Sequence, residues 1–266
     1  MSDTDAAQGS PRISIVTVSY QSSRTIERTL QSVAGQTWPA REHIVIDGGS
    51  TDGTIEIARK YESGLAALVS ERDRGIYDAM NKGVARASGG AIGFLNSDDW
   101  YVDDTVLADV GNAFRDPDID AVFGNVDFVR AENTDRVVRI YNSGRFRPDL
   151  LSSGWMPAHP GLFLRRSVFE RVGPFRTDYR IAADFDFIVR AFSSGNLKYQ
   201  YLPRTLVRMQ LGGASTSGLA STVLLNREMM RALRENAVPT SWPRLLSRYF
   251  VKILQLVPSL EGQMRR

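Results

Sequence analysis

The chain has 266 residues, a net charge of +3 and no cysteine. That charge does not point to a nucleic-acid partner, and the absence of thiols excludes a disulfide framework and any zinc–cysteine site. The apolar fraction is an ordinary 42%, so the length can hold a sizeable core, as one large domain or two small ones.

Residues 1–11 read as a polar tail, expected to be disordered, without the apolar core of a secretory signal. Ile13 to Ser19 is a β-branched run and reads as a buried strand. A helix is expected over about 25–34, with Ile26, Leu30 and Val33 at helical spacing and Gly35 as its C-terminal stop. His43 to Ile46 reads as a second strand, residues 47–53 as a loop, and 54–61 as a helix. Residues 65–70 form a third strand, 78–87 a helix, and 91–95 a fourth strand after the break at Gly89-Gly90.

Strand and helix thus alternate through residue 110, the pattern of an α/β fold with a mostly parallel sheet flanked by helices. The second half is less regular. Residues 121–129 and 136–141 read as strands of a hairpin extension, 154–160 as a loop, 162–164 as a short strand, and 166–172 and 183–192 as helices. No linker separates two domains. No uninterrupted apolar run reaches the ~20 residues of a membrane span. The expected location is cytoplasmic, in solution or on the cytosolic face of a membrane.

The adjacent carboxylates Asp98 and Asp99 follow the fourth strand, where a buried strand should surface. An α/β sheet collects ligands at such strand ends. Acidic oxygens there suit a hard divalent cation, and that cation suits a diphosphate. The plainer reading makes both residues polar caps of the next helix.

Five ordered segments resemble the inverting family 2 glycosyltransferases of the GT-A fold. They are Ser14 to Tyr20, Ile46-Asp-Gly-Gly-Ser-Thr-Asp-Gly-Thr54, Gly75-Ile-Tyr-Asp-Ala-Met-Asn-Lys-Gly83, Phe94-Leu-Asn-Ser-Asp-Asp-Trp100, and Phe175 to Arg190. The closest resemblance is to the branch that builds bacterial surface polysaccharides and glycolipids. It implies a catalytic domain over 12–220, with a nucleotide-sugar half (12–110) and an acceptor half (111–220), followed by a helical tail (221–266). It also implies a nucleoside-diphosphate sugar donor, a saccharide or lipid-linked acceptor, and Mg²⁺ or Mn²⁺ as cofactor.

The resemblance assigns roles residue by residue. Asp47 matches the aspartate that hydrogen-bonds the nucleotide base; Thr17, Ser19 and Tyr20 lie near base and ribose, with Tyr20 able to stack. Arg74, Asp78 and Lys82 fall in the donor pocket, although Asp78 and Lys82 are also spaced for a plain salt bridge. Asn96, Ser97 and Asp98 correspond to the family's Asp-x-Asp motif, with Asn96 where an aspartate is common, and Asp98 with Asp99 would hold the metal. Asp184 matches the general base. Asp186 competes for that role, but the two point about 200° apart on a helix, and Asp186 has Arg190 four residues on for a surface ion pair. His159 and Trp155 are candidates on the acceptor side.

The loop Leu211 to Thr216 reads as a closing loop or a plain connector. In the tail, Arg244, Arg248 and Lys252 recur at steps of four among apolar residues. This suits an amphipathic helix on an anionic membrane, or one packed on the domain. A sugar nucleotidyltransferase and a non-catalytic nucleotide-sugar-binding module are the alternatives. The first would need a Gly-rich, basic loop after the first strand, where this chain has Ser19-Tyr-Gln-Ser-Ser23.

Overall fold

The computed structural model describes residues 11–193, 195–212 and 219–256. The expected N-terminal tail at 1–10, loop residues 213–216 and the end of the chain lie outside it, as do the side chains of 250–256.

The first half builds four parallel strands: β1 (Ile13–Ser19), β2 (Arg41–Asp47), β3 (Ala67–Ser70) and β4 (Ala91–Phe94). The helices between them are α1 (Ile26–Ala34), α2 (Thr54–Arg59) and α3 (Ile76–Arg86). Strand alternation sends Ile13 and Ile15 of β1 into one apolar layer and Val16 and Val18 into the other, so the sheet is covered on both faces. Helix α3 starts two residues earlier than the spacing suggested. Gly75 precedes it at φ +112°, a backbone state that glycine adopts without strain.

The second half extends the same sheet through β5 (Asp99–Tyr101), β6 (Ala121–Arg130), β7 (Asn133–Tyr141), β8 (Leu162–Arg165) and β9 (Tyr199–Gln210). The strand order is β3-β2-β1-β4-β8-β6-β9-β5, with β7 paired to β6 as the expected hairpin. Helices α4 (Val106–Ala113), α5 (Arg166–Val172), α6 (Ala183–Phe192), α7 (Leu219–Glu235) and α8 (Trp242–Leu256) complete the covering.

Three differences from the sequence reading matter for the site. Asp99 is no helix cap: it opens β5 and pairs with Met209 of β9. The pair of Asp186 and Arg190, 2.9 Å apart, is not on the surface, because Asp186 is fully buried and also accepts from Asn236 Nδ2. Arg248 does not join a membrane-facing row of cations. It is only 4% exposed and donates to Asn226 Oδ1 at 2.7 Å and to Met229 Sδ of α7 at 2.6 Å. The described start of α8 is therefore docked on the domain, with Leu245 buried beside Arg248. No helix among the described residues is long and apolar enough to cross a membrane.

The helix-to-sheet fit is tightest at Gly83, where a Cβ would run into Val16 Cγ1. Alanine normally favours a helix over glycine by about 1 kcal/mol, but overpacking a core costs about 1–3 kcal/mol. Gly83→Ala should therefore lower the urea-unfolding free energy by up to about 2 kcal/mol. A variant more stable than the parent would contradict this account of the packing.

Candidate active site

The site lies at the carboxyl ends of β1, β2 and β4. Strand register sets Ser19, Asp47 and Ser70 side by side there. Asp47 is fully buried. Its oxygens accept from Ser19 Oγ at 3.1 Å, Gly49 N at 3.0 Å, Ser50 N at 2.8 Å, Ser50 Oγ at 2.5 Å and Ser70 Oγ at 2.8 Å. A carboxylate offers about four lone-pair positions, so Asp47 is saturated by its own loop and has no acceptor left for a base. This corrects the assignment of base recognition to Asp47, and Ser19 likewise serves the loop.

Thr17 is fully buried as well, 2.9 Å from His43 Nε2. It sits inside the sheet layer and is no contact for a ligand. Burial, with Arg41 acting the same way, pushes the His43 ring down to about 3, so the imidazole is neutral. Tyr20, by contrast, is 65% exposed, as a stacking platform requires.

Arg74, Asp78 and Lys82 come together at the start of α3. Asp78 lies 3.3 Å from Arg74 Nη2 and 3.4 Å from Lys82 Nζ, and Lys82 also meets Glu71 at 2.9 Å. The salt-bridge reading of Asp78 and Lys82 is correct in this structure, while Arg74 remains largely exposed at the helix N-terminus.

Past β4, Ser97 is buried and donates to Ser22 Oγ at 2.8 Å, joining the first and fourth strand loops. Asp98 is half-buried and Asp99 fully buried. Both Asp99 oxygens and Asn96 Oδ1 are buried without a hydrogen-bond partner among the described residues. Burial, and secondarily the Asp98 charge, raises the Asp99 carboxyl well above its usual range. Oxygen donors that lack a proton donor fit a hard divalent cation, so Asn96, Asp98 and Asp99 pass the chemical test for such a group.

Beyond this mouth stands an aromatic wall. Phe94 stacks on His159 at 5.2 Å between centroids and meets Phe175 edge-on at 5.3 Å. Tyr77 stacks on Phe175 of this wall at 6.2 Å and reaches Asp184 at the start of α6. Asp184 Oδ1 accepts from the Tyr77 hydroxyl of α3 at 3.4 Å and from the Phe185 backbone N–H at 2.8 Å. Burial pushes the Asp184 carboxyl above the usual carboxylate range; attraction to His159 and these two donors oppose the shift. Burial also lowers His159, with Asp184 pulling the other way. Trp155 is half-buried, its ring 6.3 Å from Tyr141.

Two residues escaped the sequence reading. Tyr77 lies inside the quoted Gly75–Gly83 segment, but its partner is far away in the chain. Glu228 of α7 carries no local signal. Its carboxylate accepts from the backbone N–H groups of Arg180, Ile181 and Ala182 at 2.8, 2.9 and 2.9 Å, clamping the turn that presents Asp184.

Residues 14–173 match the profile described as Glycosyl transferase family 2. The chain is 32% identical to the PGL/p-HBAD biosynthesis glycosyltransferase of Mycobacterium tuberculosis, over 91% of this chain and 94% of the relative. It is 36% identical to an uncharacterized glycosyltransferase of the same organism, over 68% and 69% of the two chains. Among solved structures it is similar in fold to S. aureus TarS in complex with UDP-GlcNAc, at 22% identity and a TM-score of 0.67, over 95% of this chain and 77% of that one. The Pyrobaculum calidifontis mannosyltransferase in complex with GDP-Man and Mn²⁺ gives 0.57 at 20% identity, over 93% and 81%. The mostly parallel sheet and its helices are those of the GT-A fold, and the chain belongs to glycosyl transferase family 2: it is a glycosyltransferase.

Proposed function

We propose that this enzyme moves a sugar from a nucleoside-diphosphate sugar to a hydroxyl of a saccharide or lipid-linked acceptor, with inversion and with Asp184 as general base. One observation carries the reading: a carboxyl raised by burial, held by Tyr77 and Phe185, joined by aromatic stacking to the strand end that bears Asn96, Asp98 and Asp99. A relative named for PGL/p-HBAD biosynthesis supports a saccharide or lipid-linked acceptor. Fold relatives that hold UDP-GlcNAc or GDP-Man support a nucleotide-sugar donor.

A sugar hydroxyl is a weak nucleophile until its proton is removed. Asp184 takes that proton as the acceptor oxygen bonds to the anomeric carbon and the bond to the diphosphate oxygen breaks. One displacement turns that centre once. The raised carboxyl is a stronger base than an exposed aspartate. Arg74, anchored by Asp78 at the N-terminus of α3, offers positive charge to the diphosphate. Mg²⁺ or Mn²⁺ held by Asp98 and Asp99, with the Asn96 amide oxygen, would neutralise charge on the departing nucleoside diphosphate.

Asp184→Asn should reduce transfer by at least about 10³-fold while nucleotide binding, followed by calorimetry, stays near the parent value. Full transfer in that variant would sink the assignment. Because the Asp184 carboxyl is raised, the acid limb of kcat/KM should lie above the usual carboxylate range, with activity lost as pH falls through it. Tyr77→Phe removes a donor that favours the ionised form, so its limb should move to higher pH; a limb that stays or moves down argues against this pairing.

Asp99 tests the cation. Its raised carboxyl means that the folded state holds the proton more tightly, so without a cation Asp99 itself contributes stability at low pH that is lost as pH climbs through its folded-state value, a contribution read as the difference between the parent and Asp99→Asn. Thermal unfolding in EDTA should show this slope, and Mn²⁺ should remove it by raising Tm at pH 7–8. Asp99→Asn should flatten the slope and weaken the Mn²⁺ response. An unchanged Mn²⁺ response would exclude Asp99 as a ligand.

A further inference from the structure

We propose that Asp73 reads the nucleobase in place of Asp47 and selects a base with a single imide N–H, uracil or thymine; this rests on the nucleotide-sugar reading above. The position after Asp47 is Gly48, bare backbone at the end of β2. A Cβ built there would stand 2.6 Å from Asp73 Oδ2 and 3.3 Å from Tyr20 Cδ2. The carboxylate and the exposed tyrosine ring therefore meet over the same glycine, in the crevice where an α/β sheet takes its ligand. A base stacked on Tyr20 presents its edge to Asp73.

The two oxygens of Asp73 are not equivalent. Oδ1 accepts the Gly75 N–H at 2.8 Å, and this bond fixes the carboxylate at the turn into α3. Among the described residues Oδ2 has no hydrogen-bond donor, and it faces Gly48. One fixed acceptor matches the one N3–H of uracil or thymine. Cytosine turns a lone pair on N3 toward the same oxygen, which repels it. Guanine offers two adjacent N–H donors, the second of which would have to share Oδ1 with the Gly75 N–H. An acceptor that is charged and fixed discriminates more sharply than a mobile one, because a mismatched base leaves it desolvated and unpaired.

Calorimetric titration of the full chain in Mn²⁺ with UDP, dTDP, CDP and GDP tests this. UDP or dTDP should bind at least about tenfold tighter than CDP and GDP. Asp73→Asn should weaken the preferred nucleotide about tenfold and narrow its lead over CDP, since the amide N–H₂ can face cytosine N3. Gly48→Ala provides an independent variant: its methyl displaces the carboxylate without changing charge, and should weaken the same nucleotide about tenfold. Tm values of both variants confirm that they are folded. CDP or GDP binding tightest to the parent, or parental affinity and preference in both variants, would overturn the role of Asp73. No binding of any of the four nucleotides would instead overturn the nucleotide-sugar reading, and this inference with it.

Discussion

The mouth of this enzyme depends on one buried carboxylate. Asp47 ends β2, flanked in register by Ser19 of β1 and Ser70 of β3, and it gathers donors from both strands and from the Gly49–Ser50 turn. A buried carboxylate without donors would be costly; with this many it fixes three chain segments together. Parallel strands reach their common end from separate crossovers, and nothing in the ladder itself decides how the following loops fold. Asp47 decides it. The result is a strand end at which Tyr20 and Asp73 converge over Gly48.

The chemistry at the other side of the mouth is set by opposing electrostatic effects on Asp184. Burial raises its carboxyl, and His159, the Phe185 N–H and Tyr77 lower it. In the proposed role of base for a sugar hydroxyl, Asp184 needs this compromise. Fully desolvated, it would stay protonated; fully hydrogen-bonded, it would be too weak. Tyr77 also couples the halves of the molecule, because it belongs to the helix that follows the donor strands, while Asp184 opens a helix of the second half.

The strand–helix alternation of the first half was legible because buried parallel strands are short β-branched runs, as at Ile13–Ser19, with glycine punctuation between elements. The segments around Asp98 and Asp184 were legible as resemblance. The division of labour within them was not. Ser19, Thr17 and Asp47 look like ligand contacts because they are polar residues at strand ends. Whether such a side chain faces the mouth or a neighbouring strand depends on register, which no local pattern reveals. Strand β9 was missed because Pro203 and Arg204 interrupt its apolar character, and it is held by pairing with β6 and β5 far away in sequence. Tyr77 and Glu228 were missed for the same reason: their meaning lies in partners 107 and 46–48 residues away.

The family match ends at residue 173, yet the machinery continues beyond it. Glu228 clamps the backbone just before Asp184 from α7. Arg248 of α8 lies against Gly154, whose φ of +75° favours glycine, next to Trp155. A guanidinium this deeply buried is normally paired with a carboxylate, but its described acceptors are neutral, Asn226 Oδ1, Met229 Sδ and the Tyr249 hydroxyl, and its Nε has none among the described residues. Such a residue contributes little net stability, because its desolvation is offset only in part. What it does supply is position: it fixes α8 to α7 and to the loop carrying Trp155. The C-terminal helices therefore hold both the turn that presents Asp184 and the loop that carries Trp155.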